Sequence, residues 1–110
     1  MKSDIVYFEH ILECINKIQT YSSKLTYEDF IKNEMVLDAI IRNLEIIGEA
    51  ANKISNKSKE MNPQIPWKQI IGMRNRLIHD YFGVDSGAVW QTLKDDLPEL
   101  KENIKKISSS

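Results

Sequence analysis

Cysteine is all but missing from this sequence. Cys14 stands alone, so no internal disulfide can staple the fold, which suits a reducing compartment and leads us to expect a cytoplasmic protein. Glycine and proline are scarce as well, four and three residues in 110. That scarcity argues against a turn-rich all-β fold and against disorder. Charge of one sign is lacking too: 15 basic residues face 16 acidic ones, for a formal net charge of −1. A general coater of nucleic acid would be strongly basic, so any nucleic acid handled here must be held by a local patch or a paired surface. No apolar run is long enough to cross a bilayer, and no membrane partner is expected. The opening Met1-Lys2-Ser3-Asp4 leads into a helical pattern broken by Glu9, His10 and Glu13, not into a signal peptide. Histidine is limited to His10 and His79; His79 has no second histidine or cysteine at metal-ligand spacing, and His10 is remote from it, on the first helix with Glu13. A phosphate-cradling glycine loop and a nucleophilic serine elbow are also missing. Neither a metal nor a cofactor is expected.

What is present is helical periodicity. The chain has the length of one domain, residues 1–110, and its 42% hydrophobic content can fill one core. Ile5, Phe8, Leu12, Ile15 and Gln19 recur at steps of three and four, with Ile11 and Ile18 widening the stripe. They predict an amphipathic helix from about Asp4 to Tyr21, capped by Ser3. Thr26-Tyr27-Glu28-Asp29 has a hydroxyl followed three residues later by an acid, the pattern of a capping box before a short helix. Asn33 can cap a third helix, to about Ser55, whose stripe is Val36, Ala39, Ile40, Leu44, Ile47, Ala51 and Ile54. Gly48 interrupts that stripe, and a mid-helix glycine suggests close helix packing. Arg42, Glu45 and Glu49 read as a solvated face with one internal ion pair. Two glutamates with no histidine beside them make a poor metal site.

Asn56 to Asn62 is polar and lysine-rich and reads as a loop or a frayed helical turn. Pro66 suits the first position of a helix that carries Trp67, Ile70, Ile71, Leu77 and Ile78 inward and stops near Gly83. Asp85 or Ser86 caps a last helix with Val89, Trp90, Leu93, Leu97, Leu100, Ile104 and Ile107; Pro98 within it predicts a kink or restart near Leu97. With no strand alternation, the expected fold is an all-α bundle of four main helices plus one or two short ones.

The densest chemistry lies between Arg74 and Tyr81, where Arg74, Asn75, Arg76, His79, Asp80 and Tyr81 fall together. Histidine titrates near neutral pH and suits proton transfer. Arg74 and Arg76 carry permanent charge that suits phosphate or RNA oxygens. On a continuous helix Asn75 would share a face with His79, four residues on. Arg74 and His79 would diverge by about 140°, and Tyr81 would return to within about 20° of Arg74. A cleft between two chains could gather the diverging pair. The residues alone leave two readings open, a phosphodiester site or a binding surface.

Arg74-Asn75-Arg76-Leu77-Ile78-His79-Asp80-Tyr81 resembles the R-x-x-x-x-H-x-Y motif of the HEPN superfamily, in particular its HepT-like toxins. Ile46-Ile47-Gly48-Glu49-Ala50, Pro63-Gln64-Ile65-Pro66-Trp67, Val89-Trp90 and Asp96-Leu97-Pro98 are similar to that family in the same order. The resemblance implies a single HEPN domain and a metal-independent RNase, working as a homodimer with motifs from both protomers lining one cleft. It implies His79 as general acid/base for attack by a ribose 2′-hydroxyl, Arg74 as the stabiliser of phosphate charge, and Asn75 as the residue that orients the histidine. It further implies a toxin–antitoxin system in which an MNT-type nucleotidyltransferase antitoxin transfers AMP from ATP to Tyr81. The rival is a non-catalytic helical binding module that docks a nucleotidyltransferase. The intact Arg74 and His79 favour the enzyme.

Overall fold

Two long helices carry the core, and a third helical rod closes it. The computed structural model describes residues 2–73, 78–79 and 83–108. Helix α1 spans Lys2–Ser22, α2 Tyr27–Lys32 and α3 Glu34–Lys53. Short α4 (Asn56–Met61) and α5 (Trp67–Ile71) follow. Near the C-terminus α6 (Ser86–Gln91) runs through a π-helical turn, Thr92–Asp96, into α7 (Leu97–Ser108). The expected all-α bundle is observed. It carries one small addition, an antiparallel pairing of β1 (Ile78–His79) with β2 (Gly83–Val84).

Local chemistry explains most boundaries. Thr26 accepts from the Asp29 amide at 3.1 Å and Asn33 from the Val36 amide at 3.1 Å, the two caps that the sequence predicts. Asp85, one of the two predicted caps, opens α6 by accepting from Ala88 N at 3.0 Å. Ser3 does not cap α1, which already runs from Lys2. Pro66 sits one residue outside α5 as its N-cap rather than at its first position. Of the two readings of Asn56 to Asn62, the helical one is observed, as a helix over Asn56–Met61, because the Ser55 hydroxyl accepts from Ser58 N at 3.2 Å and starts it. Pro98 has no N–H to donate, and the turn before it widens so that the Leu97 amide reaches back to Thr92 O. The predicted restart at Leu97 is therefore real.

Helix α1 packs along α3 and also against α7, while α5 packs against α3. Ile11, Ile15, Ile18, Ile40, Ile47 and Ile104 are at most 1% exposed and form the centre of the core. Ile5, placed on the inner stripe by its spacing, is instead 54% exposed. Cys14 is buried, and burial pushes its thiol above the usual range. Phe30 and Tyr27 of α2 pack on Trp90 of α6 with ring centroids 5.0 and 5.7 Å apart, and Lys94 Nζ lies 4.5 Å above the same indole. Lys101 of α7 donates to Gln19 of α1 at 2.9 Å.

Candidate functional site

Helix α5 ends at Ile71, three residues before the polar cluster begins in the sequence. Trp67 fixes its start: the indole N–H donates to Asn62 O at 3.0 Å, and the ring lies 6.1 Å from that of Phe8 on α1. Ile70 fills the core beneath it. Gly48 fixes its end. A Cβ on Gly48 would stand 3.2 Å from the Ile70 carbonyl oxygen and 3.4 Å from that of Ile71. The close packing expected of this glycine is observed, and its object is the last turn of α5.

The single helix that the apolar spacing predicts from Pro66 toward Gly83 is interrupted: Gly72 is a turn, Met73 is helical again, and Ile78–His79 is extended. Gly72 closes α5, its amide donating to Lys68 O at 3.0 Å. Met73 is buried. By Ile78 the backbone is extended: Ile78 pairs with Val84 and His79 with Gly83 across the two-stranded ladder. Ile78 and Val84 are β-branched and suit this geometry. The helical angles expected between Arg74, His79 and Tyr81 therefore do not apply, because they assume one unbroken helix through His79. His79 enters the described structure through its backbone in β1. Arg74, Asn75, Arg76 and Tyr81 lie outside the described residues.

Two recesses flank α5. One, of about 170 Å³, lies against α3 and is lined by Leu44, Glu45, Gly48, Glu49, Asn52 and Ile71. Arg42 and Glu49 are exposed, and Glu45 is half-buried. The other recess, of about 240 Å³, opens between α5 and α7 over Ile70, Met73, Leu97 and Leu100, with Gln69 and Asn103 among its polar lining residues. Among the described residues, no three histidines, cysteines or carboxylates come together as a metal-binding group. Nor is any helix there long and apolar enough to cross a membrane.

The sequence pattern gives no sign of Asp4. This carboxylate is only 4% exposed in the first turn of α1. It accepts from the Ser58 hydroxyl at 2.6 Å, the Ser55 hydroxyl at 2.7 Å and the Ser55 amide at 3.0 Å. The Ser58 bond, with those from Ser55, holds the carboxyl below its ordinary range against an opposing contribution from burial. The hydroxyls three residues apart in Ser55-Asn56-Lys57-Ser58 signal a helix start, but nothing local points to a partner 51 positions earlier.

The described fold is a helical bundle with one short extended pair, whose first strand carries His79 and follows the stretch that holds Arg74 and Arg76 in the sequence. The chain belongs to the HepT-like family: the family described as "Ribonuclease HepT-like" matches residues 11–107. A protein of Thermococcus cleftensis named "Probable ribonuclease HepT" is 44% identical over 101 residues, covering 92% of both chains. A protein of Caldanaerobacter subterraneus subsp. tengcongensis, named as a putative RNase, is 42% identical over 97% of this chain and 96% of its own. A protein of Methanocaldococcus jannaschii named as a gamma-glutamylcyclotransferase and putative RNase is 44% identical over 97% of this chain, a match covering 49% of that longer protein. No solved structure matches the chain.

Proposed function

We propose that this chain is the RNA-cleaving toxin of a toxin–antitoxin pair. The observation that carries the reading is an intact Arg74…His79 spacing in a chain whose full-length relatives are named as ribonucleases. In the proposed reaction the His79 imidazole takes the proton of a ribose 2′-hydroxyl. The freed oxygen attacks the adjacent phosphorus, and the bond from phosphorus to the 5′-oxygen breaks. A protonated imidazole returns a proton to that leaving oxygen. The products are a 2′,3′-cyclic phosphate and a 5′-hydroxyl. Arg74 offsets the charge that builds on the phosphate oxygens, Arg76 adds a phosphate contact, and Asn75 orients the imidazole. No metal is required by this scheme. Neutralisation is by a nucleotidyltransferase that moves AMP from ATP to the Tyr81 hydroxyl, releasing pyrophosphate. The new phosphodiester places bulk and a charge of about −1 where RNA phosphate would bind.

The test has two arms. Purified protein should cut RNA in the presence of a chelator, and His79→Ala should lose at least ~100-fold in rate while keeping its helical circular dichroism. Incubation with ATP and the cognate nucleotidyltransferase should add the mass of one or more AMP groups, and Tyr81→Phe should gain none. Cleavage that chelation abolishes and a divalent metal restores refutes the mechanism. A wild type that never cuts RNA but binds the nucleotidyltransferase establishes the docking module instead.

A further inference from the structure

The recess of about 240 Å³ between α5 and α7 takes no part in the cleavage scheme. Its floor is apolar, made by Ile70, Met73, Leu97 and Leu100. Three amides reach it from separate segments: Gln64 ahead of α5, Gln69 on α5 and Asn103 on α7. Two carboxylates, Asp96 and Glu99, stand beside them at the start of α7. The helix dipole alone favours carboxylates there, so it is the amides over an apolar floor that define the recess. Among the described residues, none of these five side chains has a hydrogen-bond or ion-pair partner. Nor, among those residues, does any lysine or arginine line the recess. A phosphate entering it would meet two carboxylates and no counter-charge. The group that fits is flat, apolar on its faces and polar around its edge, which is the chemistry of a nucleobase. The volume lies just under the range of about 300–1,000 Å³ for whole-ligand clefts, which suits one base better than a whole nucleotide. Ionised carboxylates only accept hydrogen bonds, so they select an edge rich in donors. Guanine sets its ring N1–H and its amino group side by side, and one carboxylate can take both. Uracil sets two carbonyls around its single N–H and repels that carboxylate. Met73, on the floor, is joined directly to Arg74 in the chain.

We propose that this recess is a base-binding subsite that takes one unstacked nucleobase of single-stranded RNA, with guanine favoured over uracil. As a specificity pocket for the substrate it rests on the ribonuclease reading; as a base-binding site it does not. The test is a titration of the full chain, labelled with ¹⁵N, with guanosine and with uridine, which carry no phosphate. The side-chain amide signals of Gln64, Gln69 and Asn103 report binding. At equal concentration guanosine should shift them about fivefold more than uridine, the low end of what one two-pronged edge contact discriminates. Asn103→Ala should cut the response of the remaining amides to guanosine by about threefold, the worth of a typical hydrogen bond. Its KM for RNA should rise by about the same factor, with kcat within about twofold. Gln69→Ala, at an exposed position of α5, is the second variant and should weaken the guanosine response likewise. Equal responses to guanosine and uridine, or none to either, overturn the proposal. A guanosine response that survives undiminished in the folded variants overturns it too. So does N-acetyl-arginine amide moving the same signals further than guanosine does, which would mark a docking site for a basic peptide. If the chain cuts RNA but guanosine leaves the amides unmoved, this proposal fails alone. If guanosine binds as expected but RNA is never cut, the ribonuclease reading fails and the base-binding site stands.

Discussion

At the scale of single residues, Asp4 carries the clearest energetic prediction. Its carboxylate joins the start of α1 to the start of α4 through three hydrogen bonds from Ser55 and Ser58. Asp4→Ala removes all three and leaves half-buried donors without their acceptor, which should cost roughly 1–3 kcal/mol of stability at neutral pH. The same interactions hold the folded carboxyl below the ordinary value of 3.8. Folding therefore favours the ionised form. The stabilisation is complete above the unfolded value near 4 and is lost as pH falls through the lower folded value. Urea melts of wild type and Asp4→Ala should differ by a constant amount from pH 7 to about 5 and converge in stronger acid. A gap that widens on acidification would show that the carboxylate is stabilised in some other way. Asp4 was not legible in the sequence because its partners are distant in the chain. Gly48 was, because a glycine set within an apolar helical stripe weakens the helix unless another backbone needs the space.

At the scale of elements, caps were the most readable signals and the extended pair the least. Thr26, Asn33 and Asp85 act within four residues of themselves, so sequence alone places them. The Ile78–His79 strand depends on Gly83–Val84 across the ladder. Its apolar spacing continues that of α5, and a pattern read in one direction extends the helix through it. Buried Ile40, Ile47 and Ile104 were likewise plain from their spacing. Ile5 was not, since at the start of α1 the covered position is taken by Asp4, bonded to Ser55 and Ser58, and its neighbour Ile5 faces outward. Asp85 stands where the two kinds of element meet, because it caps α6 immediately after β2. Asp85→Ala should remove the Ala88 bond and cost about 1 kcal/mol, or roughly 4 °C in thermal midpoint for a domain of this size. Differential scanning calorimetry reads the shift. A midpoint within a degree of wild type would mean that the π-helical rod holds α6 in place without its cap.

At the scale of the whole molecule, the near balance of charge bears on the proposed RNA cleavage. With 15 basic and 16 acidic residues, one chain offers RNA no general attraction. Two chains paired at the cluster would bring Arg74 and Arg76 from each into one groove, a concentration of positive charge that a single chain lacks. A dimer with one shared cleft also frees catalysis from requiring that Arg74 and His79 converge within one protomer. The prediction is complementation. Arg74→Ala and His79→Ala proteins, each inactive as a homodimer, should regain RNA cleavage when unfolded together and refolded as a mixture. Random pairing makes about half of the dimers mixed, and each mixed dimer keeps one intact arginine and one intact histidine. If each catalytic centre draws its arginine from one protomer and its histidine from the other, a mixed dimer has one complete centre of two. The mixture then recovers about a quarter of wild-type activity. Light scattering on the same sample should give the mass of a dimer at micromolar concentration. A dimer that recovers no activity places both groups of each centre on one chain, and a monomer removes the shared cleft altogether.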